Sequence, residues 1–104
     1  MTVQFDATEI EFLCGLVEYG DLPEDMQPGA RRYVEHGIKP GDFMMAVLRN
    51  DFVDACERAD AVNLFCLREW AGWVHWSCPS GAQGSREKVD AWIAKGGLRG
   101  NPDE

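Results

Sequence analysis

No lysine or arginine occurs in the first thirty residues, while seven acids do: Asp6, Glu9, Glu11, Glu18, Asp21, Glu24 and Asp25. All ten bases lie later, among the other eleven acids, so the N-terminal third carries −7 of the formal net charge of −8. Non-specific nucleic-acid binding rests on Lys and Arg neutralising phosphates. Here Arg31–Arg32 is the only adjacent basic pair, with acids on either side in sequence. The charge therefore argues against direct nucleic-acid binding and suits a protein partner with a basic surface. No apolar run approaches the ~18 residues a membrane span needs, so no membrane contact is expected. The start MTVQFDATEIEF is acidic where a secretory signal would be basic and then apolar. A cytoplasmic location is the expectation, with Cys14, Cys56, Cys66 and Cys78 reduced.

Catalytic signatures are missing as well. None of the patterns GxGxxG, GxxxxGK[ST], HExxH or GxSxG occurs. No C-x2-C pair exists for zinc. His75 and Cys78 lie three apart, with Cys66 nine residues before His75. That spacing straddles an expected helix end, and Cys14, Cys56 and Cys66 fall on apolar stripes, where free cysteine behaves as a small hydrophobe. A Cys78–His75 nucleophilic pair would also need an orienting group and an oxyanion site. The expectation is no metal, no cofactor and no enzyme.

What is present is a helical pattern. There is no alternating apolar run of four or more residues bounded by hairpin signals. With 104 residues, 45% hydrophobic and 27% charged, the chain has the size and composition of one globular domain. The expected fold is all-α, a single compact domain of five to six short helices over residues 1–98, followed by a flexible polar tail over 99–104.

Residues 6–20 read as the first helix, with Thr8 and Glu11 as a capping box, Ile10, Leu13, Cys14 and Val17 as its stripe, and Gly20 as its stop. Residues 23–36 read as the second, with Met26, Ala30, Tyr33 and Val34 as its apolar side; Pro28 makes it kinked or two-piece. Asp42 is placed as cap of a helix over 42–50, and Asp51 as cap of one over 51–59 with Phe52, Val53, Cys56 and Ala59 inward. The most apolar stretch, 61–76, reads as one central helix of ~24 Å. Residues 77–84 form a Pro/Gly/Ser loop, and Ser85 caps a last helix over 86–95, stopped by Gly96-Gly97.

Three features stand out as candidate partner-binding elements. Asp51, Asp54, Glu57 and Asp60 recur every three residues, an acidic ladder with Arg58 placed to pair with Asp54. Asp21, Glu24 and Asp25 form a second acidic group. Trp70, Trp73 and Trp76 are also spaced by threes and fan across a helix. Trp70 and Trp73 are expected in the core, and Trp76, beside the polar loop, is either an exposed interface anchor or packed beneath that loop. The candidate partner-binding set is thus Asp21, Glu24, Asp25, Asp51, Asp54, Glu57 and Trp76.

The stretch GIKPGDFMMAVLRND at 37–51, continuing through Ala55, Arg58-Ala59-Asp60 and Asn63, with Gly84-Ser85, Glu87-Lys88-Val89 and Trp92, resembles a family of short phage and prophage proteins. The resemblance spans roughly 22–95. Pro28 and the Trp-rich 70–76 segment depart from the family pattern, and the first 20 residues lie outside it. The family carries no settled biochemical function, so no catalytic residue transfers. The resemblance implies a phage-encoded inhibitor of host machinery, most concretely an anti-CRISPR or other anti-defence protein. The alternative is a structural or regulatory phage module that self-associates, as a homodimer, through its aromatic surface.

Overall fold

The computed structural model describes residues 6–100, and these are helical with no strand. Seven α-helices run in the order α1 (Ala7–Leu16), α2 (Gln27–His36), α3 (Asp42–Leu48), α4 (Phe52–Arg58), α5 (Ala61–Phe65), α6 (Leu67–Trp76) and α7 (Arg86–Lys95). Two short 3-10 turns, Glu24–Met26 and Ser80–Ala82, lead into α2 and α7.

The helix starts follow side-chain chemistry. Asp51, Asp60 and Ser85 each accept a hydrogen bond from the amide three residues on, as their sequence positions suggest. Two caps differ from expectation. The capping box of α1 is Asp6–Glu9, not Thr8–Glu11. The cap of α3 is Gly41, which leaves Asp42 as the first helical residue. Pro28 does not kink a helix but sits in the first turn of α2, where its missing amide costs nothing. The 3-10 turn before it makes the 23–36 segment two-piece.

The single helix expected over 61–76 is two helices. Asn63 is buried at 4% exposure, and its side-chain oxygen accepts a hydrogen bond from Trp70 Nε1 at 3.0 Å. That bond turns α5 back toward α6, and Cys66 makes the bend (φ −99°, ψ 18°). Similarly, α1 stops at Leu16 instead of Gly20. The core captures the chain just after it: Trp73 Nε1 donates to the Glu18 carbonyl at 2.8 Å, and Tyr19 and Leu22 are buried.

The core centres on Trp70, Tyr33, Leu48, Val34 and Val89. Phe43 packs edge-on to Trp70 at 5.3 Å, and Trp70 edge-on to Trp73 at 6.0 Å, geometries that aromatic quadrupoles favour. Every buried indole N–H has a partner, since Trp92 Nε1 donates to the Tyr33 carbonyl at 3.0 Å. The Tyr33 hydroxyl in turn donates to the Ala82 carbonyl at 2.7 Å and fixes the 77–84 loop.

The end of α2 is closed by the far end of the chain. Its carbonyls at Val34 and Glu35 accept from the amides of Leu98 and Arg99, both at 2.9 Å. Of the tail expected over 99–104, Arg99 is therefore a fixed part of the fold, and residues 101–104 lie outside the described residues. Arg99 Nε also reaches the buried carboxylate of Glu35 at 2.9 Å, and its guanidinium pairs with Glu11 of α1. That hydrogen bond holds the Glu11 carboxyl below its usual range.

Candidate functional site

Short helices have too little surface to bury everything they carry, and α4 and α5 show the result. In α4 the buried residue is Ala55, which faces α3. The expected inward set of Phe52, Val53, Cys56 and Ala59 is corrected in part: Phe52 is 67% exposed and Val53 is exposed too, while Cys56 is half-buried and Ala59 is half-buried against the core. At 100° per residue, turning Ala55 to the core leaves Phe52 roughly 60° off it. Helix α5 is inverted: its one buried residue is the polar Asn63, while Val62 and Leu64 are exposed and Phe65 is 89% exposed.

Between α3, α4 and α6 lies an open groove of about 250 Å³. Leu67, Ala71 and Val74 of α6 form one wall, with Trp70 beneath them. Ala46 and Val47 of α3 and Phe52 and Ala55 of α4 form the other. Asn50 and Asp51, at the α3–α4 junction, are its only polar lining residues. Asn50 adopts a left-handed conformation (φ 64°), which asparagine tolerates better than most residues and which lets the chain reverse there. One amide and one carboxylate do not make a nucleophile, base and oxyanion set.

The predicted acids divide between two places. Asp51 lies on the groove, with its carboxylate bound to the Asp54 amide as the α4 cap. Asp54 accepts from Arg58 Nε at 2.9 Å, and Arg58 also reaches Asp42 at 3.2 Å, so one arginine offsets two carboxylates. Glu57 and Asp60 are exposed and enter no ion pair among the described residues. Asp21, Glu24 and Asp25 are exposed around the turn before α2. Asp25 lines a separate cleft with Arg32 and Lys39, which shares no lining residue with the groove. The two acidic groups thus flank different clefts.

Trp70 and Trp73 are core, and Trp76 is 83% exposed. Two steps of three residues rotate Trp76 about 120° from Trp70. His75 packs edge-on against the Trp76 ring at 4.5 Å. The Cys78 thiol points elsewhere in chemistry: it is buried, and burial pushes its pKa up to about 12. It is protonated at neutral pH, the opposite of an activated nucleophile. Among the described residues no three of His, Cys, Asp and Glu gather as a metal site.

The groove itself was not apparent from sequence. Its signal is the Leu67-Ala71-Val74 series, an apolar stripe on α6 with a small residue at its centre. Glu35 and Arg99, 64 residues apart, left no signal at all. No helix among the described residues is long and apolar enough to cross a membrane. Comparison with known proteins finds no matching family model, no matching curated protein and no matching solved structure.

Proposed function

We propose that this chain is a non-enzymatic protein-binding module that docks on a basic surface of a host protein complex and inhibits it. The observation that carries this reading is the inversion of α5, with Val62, Leu64 and Phe65 outside and Asn63 inside. Phe52 and Val53 on α4 and Trp76 at the end of α6 add further exposed apolar area. Each exposed aromatic has ~150–250 Å² to bury, and monomers rarely leave much contiguous apolar surface uncovered. Asp51, Glu57 and Asp60 on the same 51–76 stretch add exposed negative charge, which steers a basic partner. Residues 51–76 hold five acids against two arginines, so self-association through this face would set like charge on like.

The phage-like motif at 37–51 supports a specific setting, the cytoplasm of a bacterial host, and a specific target, an anti-phage defence complex such as a CRISPR effector. A basic groove built for nucleic acid has the charge this surface complements. The test is expression in an immune bacterial host with phage plating as readout. Wild type is expected to restore plating and to co-purify a host protein that is lost at high salt, where screening is short-ranged. Phe65→Glu, at a residue that supports no core, is expected to abolish both. Unchanged plating together with no co-purifying host protein refutes the reading, and a concentration-dependent dimer by light scattering would favour the self-associating alternative.

A further inference from the structure

We infer that the groove between α3, α4 and α6 receives an α-helix of the partner, apolar along one face and flanked by Lys or Arg. The inference rests on the protein-binding reading above and names the partner's chemistry.

The geometry selects a helix over other occupants. Leu67, Ala71 and Val74 form an i, i+4, i+7 wall. At ~1.5 Å per residue this wall is ~10 Å long, two turns of an apposed helix. Ala46, Ala55 and Ala71 keep the groove walls low, so a helix backbone can come close. An extended peptide would need main-chain partners. The described residues contain no strand edge, and the groove offers only the side chains of Asn50 and Asp51. A helix satisfies its own backbone and brings only side chains to an apolar groove. A small molecule fits poorly, because the lining lacks converging polar groups and about 250 Å³ falls below the usual ligand pocket.

Charge selects the flanks. Asp51 lines the groove, and residues 51–60, which include the α4 wall, hold Asp51, Asp54, Glu57 and Asp60 against Arg58 alone, a local net of −3. Arg58 is already engaged with Asp54 and Asp42. A partner helix with cations beside its apolar stripe meets the remaining carboxylates. A second copy of this chain, at −8, does not.

The probe is a fluorescent Leu/Lys peptide of about 15 residues, near the length at which an isolated helix becomes viable, with Leu at i, i+4, i+7 and i+11. Controls are a peptide of the same composition with alternating Leu and Lys, and one with Glu in place of Lys. Anisotropy gives affinity, and amide shift mapping gives location. The helical Lys peptide is expected to bind best, with shifts concentrated on 46–55 and 67–74. Ala71→Arg fills the groove at an exposed helical position that arginine suits, and should weaken binding roughly tenfold or more. Asp51→Asn keeps a capping side chain while removing the charge, and should weaken binding roughly threefold with a shallower salt dependence. No binding, equal binding of the alternating peptide, indifference to Ala71→Arg, or shifts elsewhere would each overturn the inference. A host partner lost on Phe65→Glu but kept on Ala71→Arg would retain the binding function and reject the helix groove. Binding of the helical peptide in a host where no partner is captured would do the reverse.

Discussion

Replacing Gly97 with alanine tests the join that closes this fold. Gly97 has φ +72°, and a Cβ there would lie 2.6 Å from the Gly37 amide nitrogen and 2.7 Å from the Glu35 carbonyl carbon and the His36 nitrogen. All three are backbone atoms at the end of α2, so no side chain can swing aside. The left-handed conformation alone costs an ordinary residue ~1–2 kcal/mol. Relieving the contact requires moving 96–99 away from α2, which stretches the bonds from Leu98 to Val34 and from Arg99 to Glu35, both 2.9 Å. Those are worth ~1 kcal/mol each, and overpacking in a fixed site adds ~1–3 kcal/mol. The expected loss is ~3–5 kcal/mol, a large part of the stability of a small domain. Urea unfolding followed by tryptophan fluorescence reads it, as a midpoint shift of about 2 M at an ordinary m value. Gly15→Ala is the matched control. Its Cβ meets nothing within 4 Å on α1, so alanine should stabilise by ~0.5–1 kcal/mol. A Gly97→Ala protein within ~1 kcal/mol of wild type would refute the account.

Tyr33→Phe removes a buried hydroxyl and leaves the Ala82 carbonyl without its donor at 2.7 Å, so urea unfolding should show a loss of ~1–2 kcal/mol with an unchanged m value. Burial raises the Cys78 thiol to about 12. The unfolded chain therefore releases that proton first, and stability is complete below about pH 8.5 and falls as pH rises toward 12, with a slope up to ~1.4 kcal/mol per unit. Burial raises the phenols of Tyr19 and Tyr33 as well, which steepens the fall above ~10. Cys78→Ala should flatten the pH 8.5–10 part of a stability profile, and a profile identical to wild type would count against a buried thiol. Arg99→Ala unties α1 from the body by removing the contacts to Glu11 and Glu35. Amide exchange across 7–17 should accelerate while the α3 and α6 amides keep their protection, and uniform acceleration would show that α1 is not a separable unit.

Local chemistry was legible without the structure. The caps at Asp51 and Ser85 each depend on one side chain and an amide three residues away, so the sequence contains both partners. The same holds for the Asp54–Arg58 pair. Burial of Trp70 and Trp73 followed from helical periodicity, whereas the sequence left Trp76 between an exposed anchor and a place beneath the loop, and the structure exposes it. On the candidate site, the acids and Trp76 were visible, and the apolar groove, which only Asp51 of that set lines, was not.

The inward faces expected of α4 and α5 failed for one reason. Apolar spacing on α4 and α5 shows which residues share a side but not which side meets the core. Ala55 won that place over Phe52 because α4 packs closely on α3, and a small residue permits the approach. Asn63 won it over Phe65 because the Trp70 indole needed an acceptor. Asp42 lost its capping role to Gly41, and the chain bends at Cys66, where the sequence carries no Gly or Pro to mark a stop. By itself the sequence determined an acidic, helical chain with some of its helix starts marked, because those properties arise within one or two helical turns. Tertiary structure alone decided that Arg99 closes α2 on Glu35, that α5 turns its apolar residues outward, and that three helices leave a groove beside Asp51. Each of those depends on groups far apart in the chain competing for the same buried space.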